Sequence, residues 1–310
     1  MVDLTKKMVF KILFLSFLFT IGFAVAGNHL KANNKRIPPI KKAYYGYYGN
    51  VFTDVNRKDA EAALQLTMDQ IIEYWNYEIE AKAFIYDTKK EIIKGITSGE
   101  ISFIVLPTFL FLDLKDKYYL EPASFGKRGE NFGVKHYLLV NASSNFNKAS
   151  DLIGKKINIQ CNKLEGIPFY WLKTLVMREG IEKQEVNFKT VEVKTNAYEV
   201  ALPVFFKKVD ACIVTESSYN TLIELNPQLS SQLKILDISP AYLEYLMCFC
   251  QKLSPKVKDF LYKNMSVIGT YPKGQQILTI FKIQTITLYK EEYIKNDTLL
   301  YQEYHKYNDE

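Results

Sequence analysis

The run Gln160-Cys161-Asn162-Lys163-Leu164-Glu165-Gly166 joins an alternating apolar stretch, Lys156 to Gln160, to a helical apolar pattern that begins at Ile167. Backbone N–H groups at a helix start lack intrahelical partners and the helix dipole is positive there, so such a junction attracts negative groups. Asn162 and Lys163 add an amide and an ammonium group, and Glu165 adds a carboxylate. Turned inward, Glu165 would reject an anion and meet the positive part of a neutral, zwitterionic or amine-bearing molecule, as would Glu199 or Glu216. Turned to solvent, it would only complement the helix start. Two further junctions share a form: "ITSGEISFIVLPTF" (Ile96 to Phe109) and "FKKVDACIVTES" (Phe206 to Ser217) both run helix, tight turn, acidic residue, apolar strand, polar end. Ligands of open parallel sheets collect outside the carboxyl ends of the strands, which makes Pro107, Thr108 and Glu216 candidate contacts. Thr108 and Glu216 also read as ordinary residues at a helix start. Asn196 and Tyr198, opening another helical pattern, and Tyr48, which ends the first strand and offers a ring face and a hydroxyl, complete the candidate ligand-binding set.

Catalytic signatures are scarce. The chain has no G-x-S-x-G, no G-x-x-x-x-G-K-[ST], no H-E-x-x-H and no G-x-G-x-x-G. His136 opens a strand without an orienting acid in its pattern and reads as a structural histidine. Cys212, Cys248 and Cys250 sit in apolar strand patterns, where a thiol behaves as a small buried hydrophobe, and Cys161 ends the junction loop. Cys248-x-Cys250 puts two thiols on one strand face, but the companion zinc ligands are missing from a chain with three histidines. The expectation is a chain that is not an enzyme, with no metal and no cofactor.

The elements that must carry these residues alternate. A strand at Ala43 to Tyr48, a helix from about Arg57 to Trp75, a strand near Ile79 to Tyr86, a Thr88-capped helix stopping at Gly99 and a buried strand at Ile101 to Leu106 make a β-α-β-α-β run. Such a run predicts a parallel sheet with right-handed crossovers. The plan repeats with strands at His136 to Asn141 and Lys156 to Gln160, a helix from Ile167 to Glu179, a strand near Val186 to Val193, a helix from about Asn196 to Phe206 and a strand at Ala211 to Thr215. Leu233 to Asp237, a strand at Tyr242 to Cys250, a helix from Ser254 to about Val267 and a C-terminal helix from about Thr287 follow. The strand at Tyr242 to Cys250 has no neighbour of its own and is expected to return to the first half. The fold class is therefore α/β in two lobes, each a mainly parallel sheet flanked by helices: 27–134 with 240–310 as a discontinuous first lobe, 135–239 as an inserted second, joined by two crossing segments suited to hinge closure.

Residues 1 to 26 have the layout of a secretory leader: Lys6, Lys7 and Lys11, an apolar stretch from Ile12 to Ala24, and small residues at Ala24-Val25-Ala26. The apolar core is shorter than the ~20 residues of a membrane span. No Cys follows the small residues, so the expected destination is the periplasm or exterior without a lipid anchor. Without the leader, the 40 Lys and Arg fall to 37 and the 34 Asp and Glu to 33. That mild, scattered balance argues against nucleic acid as a partner. A monomer that binds a small solute is the expectation.

In order and spacing, four stretches resemble the phosphonate, phosphite and phosphate type of ABC-transporter solute-binding proteins, a branch of the type 2 periplasmic binding fold. They are "GEISFIVLPTF" (Gly99 to Phe109), "KHYLLVNASSNFNKASDLIGKKINI" (Lys135 to Ile159), "NAYEVALPVFFKKVDACIVTES" (Asn196 to Ser217) and "LKILDISPAYLEYLMCFCQKLSPKVKDFL" (Leu233 to Leu261), within a resemblance spanning about Ala43 to Tyr293. The resemblance implies a two-lobed receptor that closes on a solute and hands it to a membrane permease; a receptor that regulates a membrane signalling partner uses the same closure. One departure stands out. Where members that bind phosphonates carry Ser-Thr-Ser-Gly at the second-lobe helix, this chain has Asn162-Lys163-Leu164-Glu165-Gly166, and Phe109 stands near a position commonly tyrosine. A carboxylate ~5 Å from a phosphonate charge costs on the order of 3 kcal/mol at an effective dielectric near 20, about a hundredfold in affinity. With Glu165 turned inward and not offset by Lys163, the implied ligand is other than a simple phosphonate; with Glu165 turned to solvent, no such limit applies.

Overall fold

The computed structural model describes residues 38–49, 57–128, 132–162, 166–281 and 283–306. The leader at 1–26, Lys163 and Glu165 lie outside the described residues. In chain order the structure runs β1 (Lys42–Tyr48), α1 (Arg57–Trp75), β2 (Glu80–Tyr86), α2 (Lys89–Thr97), β3 (Phe103–Pro107), α3 (Thr108–Leu114) and β4 (Glu121–Lys127). It continues through β5 (His136–Asn141), β6 (Lys156–Gln160), α4 (Ile167–Arg178), β7 (Thr190–Lys194), α5 (Ala197–Phe205), β8 (Ala211–Thr215), α6 (Glu216–Leu225), α7 (Gln228–Gln232) and β9 (Leu233–Ile238). It closes with β10 (Tyr245–Phe249), α8 (Pro255–Ser266), α9 (Pro272–Ile280), β11 (Thr285–Leu288) and α10 (Lys295–Lys306). Among the described residues no helix is long and apolar enough to cross a membrane.

Local signals account for the elements that begin and end sharply. Thr88 and Glu91 form a capping box at the start of α2, the Thr88 hydroxyl accepting from the Glu91 N–H and the Glu91 carboxylate from the Thr88 N–H, and Gly99 follows that helix at a φ of +69°. Asn196 caps α5 and Thr215 caps α6 through their side-chain oxygens. Two expectations fail at their boundaries. Val186 follows a 3₁₀ turn at Lys183–Glu185 and β7 starts only at Thr190. The C-terminal helix starts at Lys295, because the β-branched run Thr285–Leu288 pairs as an edge strand with β4 instead of winding into a helix.

The strands form two sheets, ordered β11-β4-β10-β3-β1-β2 and β7-β6-β8-β5-β9. The parallel runs expected from sequence are present as β2-β1-β3 and β7-β6-β8. The strands that return to these runs add antiparallel, so each sheet is mixed. Period-two alternation divides the cores. In the second sheet Leu138, Val140, Ile157, Ile159 and Ile213 pack with Trp171 and Leu172 of α4, while Leu139, Cys212 and Val214 pack with Val200 and Val204 of α5 on the other face. In the first sheet Ile104, Leu106, Leu246 and Cys248 share a cluster with Ile92 of α2 and Phe111 of α3, whereas Phe103 and Phe249 face Val257 and Leu261 of α8.

The chain passes between the sheets twice, before β5 and after β9. The two passages pair as an antiparallel bridge, with Val134 N–H to Tyr242 O at 2.7 Å and Tyr242 N–H to Val134 O at 3.0 Å. Gly133 adopts a φ of +110°, and a Cβ there would lie 2.7 Å from the Tyr242 carbonyl oxygen, so glycine is required at this crossing. Side chains fasten the returning passage. Asn296 donates to Ala241 O (3.0 Å), Asp297 accepts from the Leu243 N–H (3.0 Å), and the Thr108 hydroxyl donates to Leu243 O.

Asp297 is fully buried, and burial pushes its carboxyl up to about 8, with Glu244 adding to the rise and the Leu243 N–H opposing it. Its folded pKa lies above the unfolded value of about 3.9. Between about pH 4 and pH 8 the unfolded chain therefore sheds a proton that the folded chain keeps, and stability is lost as pH rises through that window. His136 acts in the opposite sense: burial lowers it to about 4, so its contribution is lost as pH falls from about 6.5. Asp297→Asn keeps an acceptor for Leu243 and cannot ionise. The variant is expected to flatten the decline between pH 5 and 8 and to gain at least about 1 kcal/mol at pH 8, read by urea denaturation at each pH; a decline as steep as that of the native chain would rule the carboxyl out as its source.

Candidate functional site

Register aligns the carboxyl ends of the parallel strands. In the first sheet Tyr48 pairs with Tyr86 and Tyr47 with Val105; in the second, Gln160 pairs with Lys194. Gln160 organises its edge. Its side-chain oxygen accepts from the Thr215 N–H (3.1 Å), and its amide donates to Ser218 Oγ (2.8 Å) and Thr195 O (3.3 Å), which joins the ends of β6, β7 and β8. Beyond Gln160 the exposed Asn162 hydrogen-bonds the phenol of Tyr245 on the first sheet. Tyr245 in turn pairs with Pro107 at the end of β3. The structure thus brings Pro107 and Asn162 to one place through Tyr245.

Charged pairs also stand near the strand ends of both sheets. Glu244 is raised by burial and pulled back by Arg128, whose guanidinium lies 3.7 Å away. Glu216, at the start of α6, accepts from the Tyr137 phenol (3.0 Å) and lies 3.9 Å from Lys135 on the passage into β5. Past the ends of β1 and β2, Arg57 meets Asp87 at 2.8 Å and Glu61 at 3.1 Å. Arg57, Arg128 and Lys135 are thus each matched to a carboxylate.

The other sequence candidates are placed differently. Thr108 is fully buried, its hydroxyl committed to Leu243 and its N–H to Glu244 O (3.1 Å), so it ties β3 to the returning passage. Tyr48 is half-buried against the cluster around Ile92 and Leu106. Asn196 accepts from the Tyr198 N–H (2.9 Å), and Tyr198 packs on the cluster around Val200. Phe109, near a tyrosine position of the resembling proteins, stacks face to face on Tyr170 of α4 (4.7 Å, 7°), with Tyr301 of α10 against its edge. The residues that sequence reasoning missed are Tyr245, Glu244 and Arg128. A glutamate inside the otherwise apolar run Tyr242 to Cys250 was the available signal.

None of the four thiols is in a disulfide, and burial raises Cys212, Cys248 and Cys250, so these three stay protonated. His136 is neutral, and neither ring nitrogen has a hydrogen-bond partner. These buried groups are poor nucleophiles and bases.

Residues 51–293 match the family described as ABC transporter, phosphonate, periplasmic substrate-binding protein. Among solved structures, the chain is similar to a Xanthomonas citri protein bound to ATP, with a TM-score of 0.63 at 12% identity over 87% of this chain and 98% of that one. It is also similar to a binding protein component of an ABC phosphonate transporter from Pseudomonas aeruginosa (TM-score 0.58, 14% identity, 87% and 88% covered). PhnD1 from Prochlorococcus marinus in complex with methylphosphonate gives a TM-score of 0.55 at 14% identity, with 86% and 99% covered. At these identities the likeness is one of fold. No curated protein matches the chain in sequence.

Gln160→Ala would leave the Thr215 N–H and Thr195 carbonyl without their side-chain partner at a part-buried edge. The expected loss is about 1–3 kcal/mol in urea denaturation, with the secondary-structure spectrum retained; a loss below about 0.5 kcal/mol would mean that the edge holds together without it.

Proposed function

The chain belongs to the family of periplasmic substrate-binding proteins of phosphonate ABC transporters, and from that membership we propose that it captures a small neutral, zwitterionic or amine-bearing solute between two hinged lobes and delivers it to an ABC permease. In this reading residues 27–134 with 240–310 form one lobe and 135–239 the other. The paired passages at Val134 and Tyr242 supply the hinge, in keeping with closure around a ligand. Pro107, Asn162, Tyr245 and Glu216 are the proposed contacts among the described residues, with Tyr48, Asn196 and Tyr198 at the rim and Lys163 and Glu165 on the loop that follows Asn162. Thr108 supports the wall from behind.

The observation that carries the ligand class is the pairing of charge: Arg57, Arg128 and Lys135 each already face a carboxylate. A phosphonate or phosphate would have to pull one of these cations from its partner and would meet that partner as a like charge. A solute with no net charge enters without that cost, and an amine directed at Glu216 shares that carboxylate with Lys135.

Calorimetric titration of the purified protein with methylphosphonate, phosphite and phosphate tests the charge assignment. Dissociation constants weaker than about 10 μM are expected for all three, and sub-micromolar binding of any of them would overturn the assignment. Mass spectrometry of the solute released on denaturation is expected to give a species that is neutral, zwitterionic or cationic at pH 7. Glu216→Gln is expected to weaken binding of that species about tenfold or more, the loss of one charge-assisted contact; unchanged affinity would remove Glu216 from the site.

A further inference from the structure

A pocket of about 320 Å³, partly open to solvent, lies between the first sheet and helices α1, α8 and α9. Ala43, Tyr45, Tyr47, Ala81, Val105 and Met247 form its floor, and Leu64, Ile71, Phe260, Leu261 and Leu278 are part of its roof. Its lining is mainly aliphatic and aromatic, and a water needs two to four polar partners to settle in such a space. The walls are braced against collapse. Tyr45 stacks on Phe103 (4.7 Å) and Tyr47 on Phe281 (5.9 Å), while across the roof Tyr74 stacks on Tyr271 (4.6 Å) and the Tyr77 phenol donates to Asn264 (3.1 Å).

The charged part of the lining is beside the crossing passages, where Arg128, Gly133, Val134, Glu244 and Tyr245 border the same cavity. Arg128 and Glu244 lie 3.7 Å apart and both retain solvent exposure, 54% and 31% of their side chains. An uncharged hydrogen-bonding group can insert between them and satisfy both. A charged head would satisfy one and strand the other.

We propose that this chamber is a second ligand site, which takes the apolar tail of a single-chain amphipathic molecule whose uncharged polar head rests at Arg128 and Glu244. At about 30 Å³ for each water-sized unit, the chamber holds a tail of roughly ten heavy atoms. Its head end shares Arg128, Glu244 and Tyr245 with the proposed solute site, while its apolar walls belong to the first sheet and its helices.

The experiment uses the full mature chain and the neutral fluorophore N-phenyl-1-naphthylamine, with 1-decanol, decanoate and decylamine as competitors. Saturable binding of one fluorophore per chain is expected, with blue-shifted emission, displacement by 1-decanol, and at least tenfold weaker displacement by decanoate and decylamine. Ala81→Phe and Val105→Phe each fill the floor and are expected to lower fluorophore affinity at least tenfold without lowering Tm. A diazirine analogue of 1-decanol, photolysed on the native protein, is expected to label peptides of α1, α8 or β10, which keeps the test decisive if a filled variant does not fold. Absence of saturable binding, undiminished binding by both filled variants, or label confined to other peptides would overturn the site. Equal displacement by decanoate would overturn the assignment of the head.

Discussion

Two stretches of backbone cross between the sheets, and each polar group they bury has to find a partner. Neighbouring elements supply them. Val134 and Tyr242 satisfy each other, Asp297 and Asn296 reach from the start of α10 to Leu243 and Ala241, and Thr108 at the start of α3 engages both Leu243 and Glu244. The returning passage is therefore fastened along its length to elements of the first sheet's half. A segment held at so many points belongs structurally to the first sheet's half. α10 adds a constraint. It contacts α3 through Phe109 and Tyr301 and α4 through Arg178–Glu303 (2.5 Å) and Tyr170–Tyr304 (4.8 Å), so it bridges the backs of both sheets.

The electrostatics follow from the same geometry. Passages that converge on the strand ends bring Lys135 to Glu216 and Arg128 to Glu244. Exposed pairs at such distances contribute about 1 kcal/mol or less to stability. In the proposed reading they also bear on what can enter. With a carboxylate ~5 Å from a bound anion the cost is on the order of 3 kcal/mol, which outweighs a typical hydrogen bond of about 1 kcal/mol. Tyr245 and Asn162, both neutral, offer donors and acceptors at the contact between the halves without changing its charge.

Much of this architecture was legible in the residues. β1, β2, β3, β6 and β8 lie where alternation or continuous apolar runs put them, because a strand buried on one or both faces has to write its periodicity into the sequence. The capped start at Thr88 and the stop at Gly99 were legible because caps are local chemistry. β4 and β11 were not: "EPASFGK" holds a proline and a glycine, and "TITL" is four residues long, so both depend on the sheet that receives them. The candidate site was legible only in the positions that lie at strand ends. Pro107 and Asn162 were reachable from the rule that ligands gather at strand ends, but Tyr245 became visible only once β10 was paired antiparallel with β3, a contact between residues far apart in the chain. Thr108 shows the limit of the rule, since a hydroxyl at a strand end serves the backbone first when an unpaired carbonyl such as that of Leu243 is nearer.

The chamber under the first sheet poses a thermodynamic question that the rest of the fold does not. Its 320 Å³ leave part of the apolar face of the sheet uncovered, and each Å² left to water forgoes about 25 cal/mol of burial. Collapse would recover that energy only by bringing the roof down on the sheet. The Tyr74–Tyr271 stack and the Tyr77–Asn264 hydrogen bond hold α1 to the α8–α9 side at a fixed spacing, and Gly274 of α9 already lies so close to the turn before it that an added Cβ would fall 1.6 Å from Ile268 O. Lowering the roof therefore means breaking those contacts. An apolar tail in the chamber restores the missing dispersion contacts without breaking any of them, so filling is the less costly of the two resolutions.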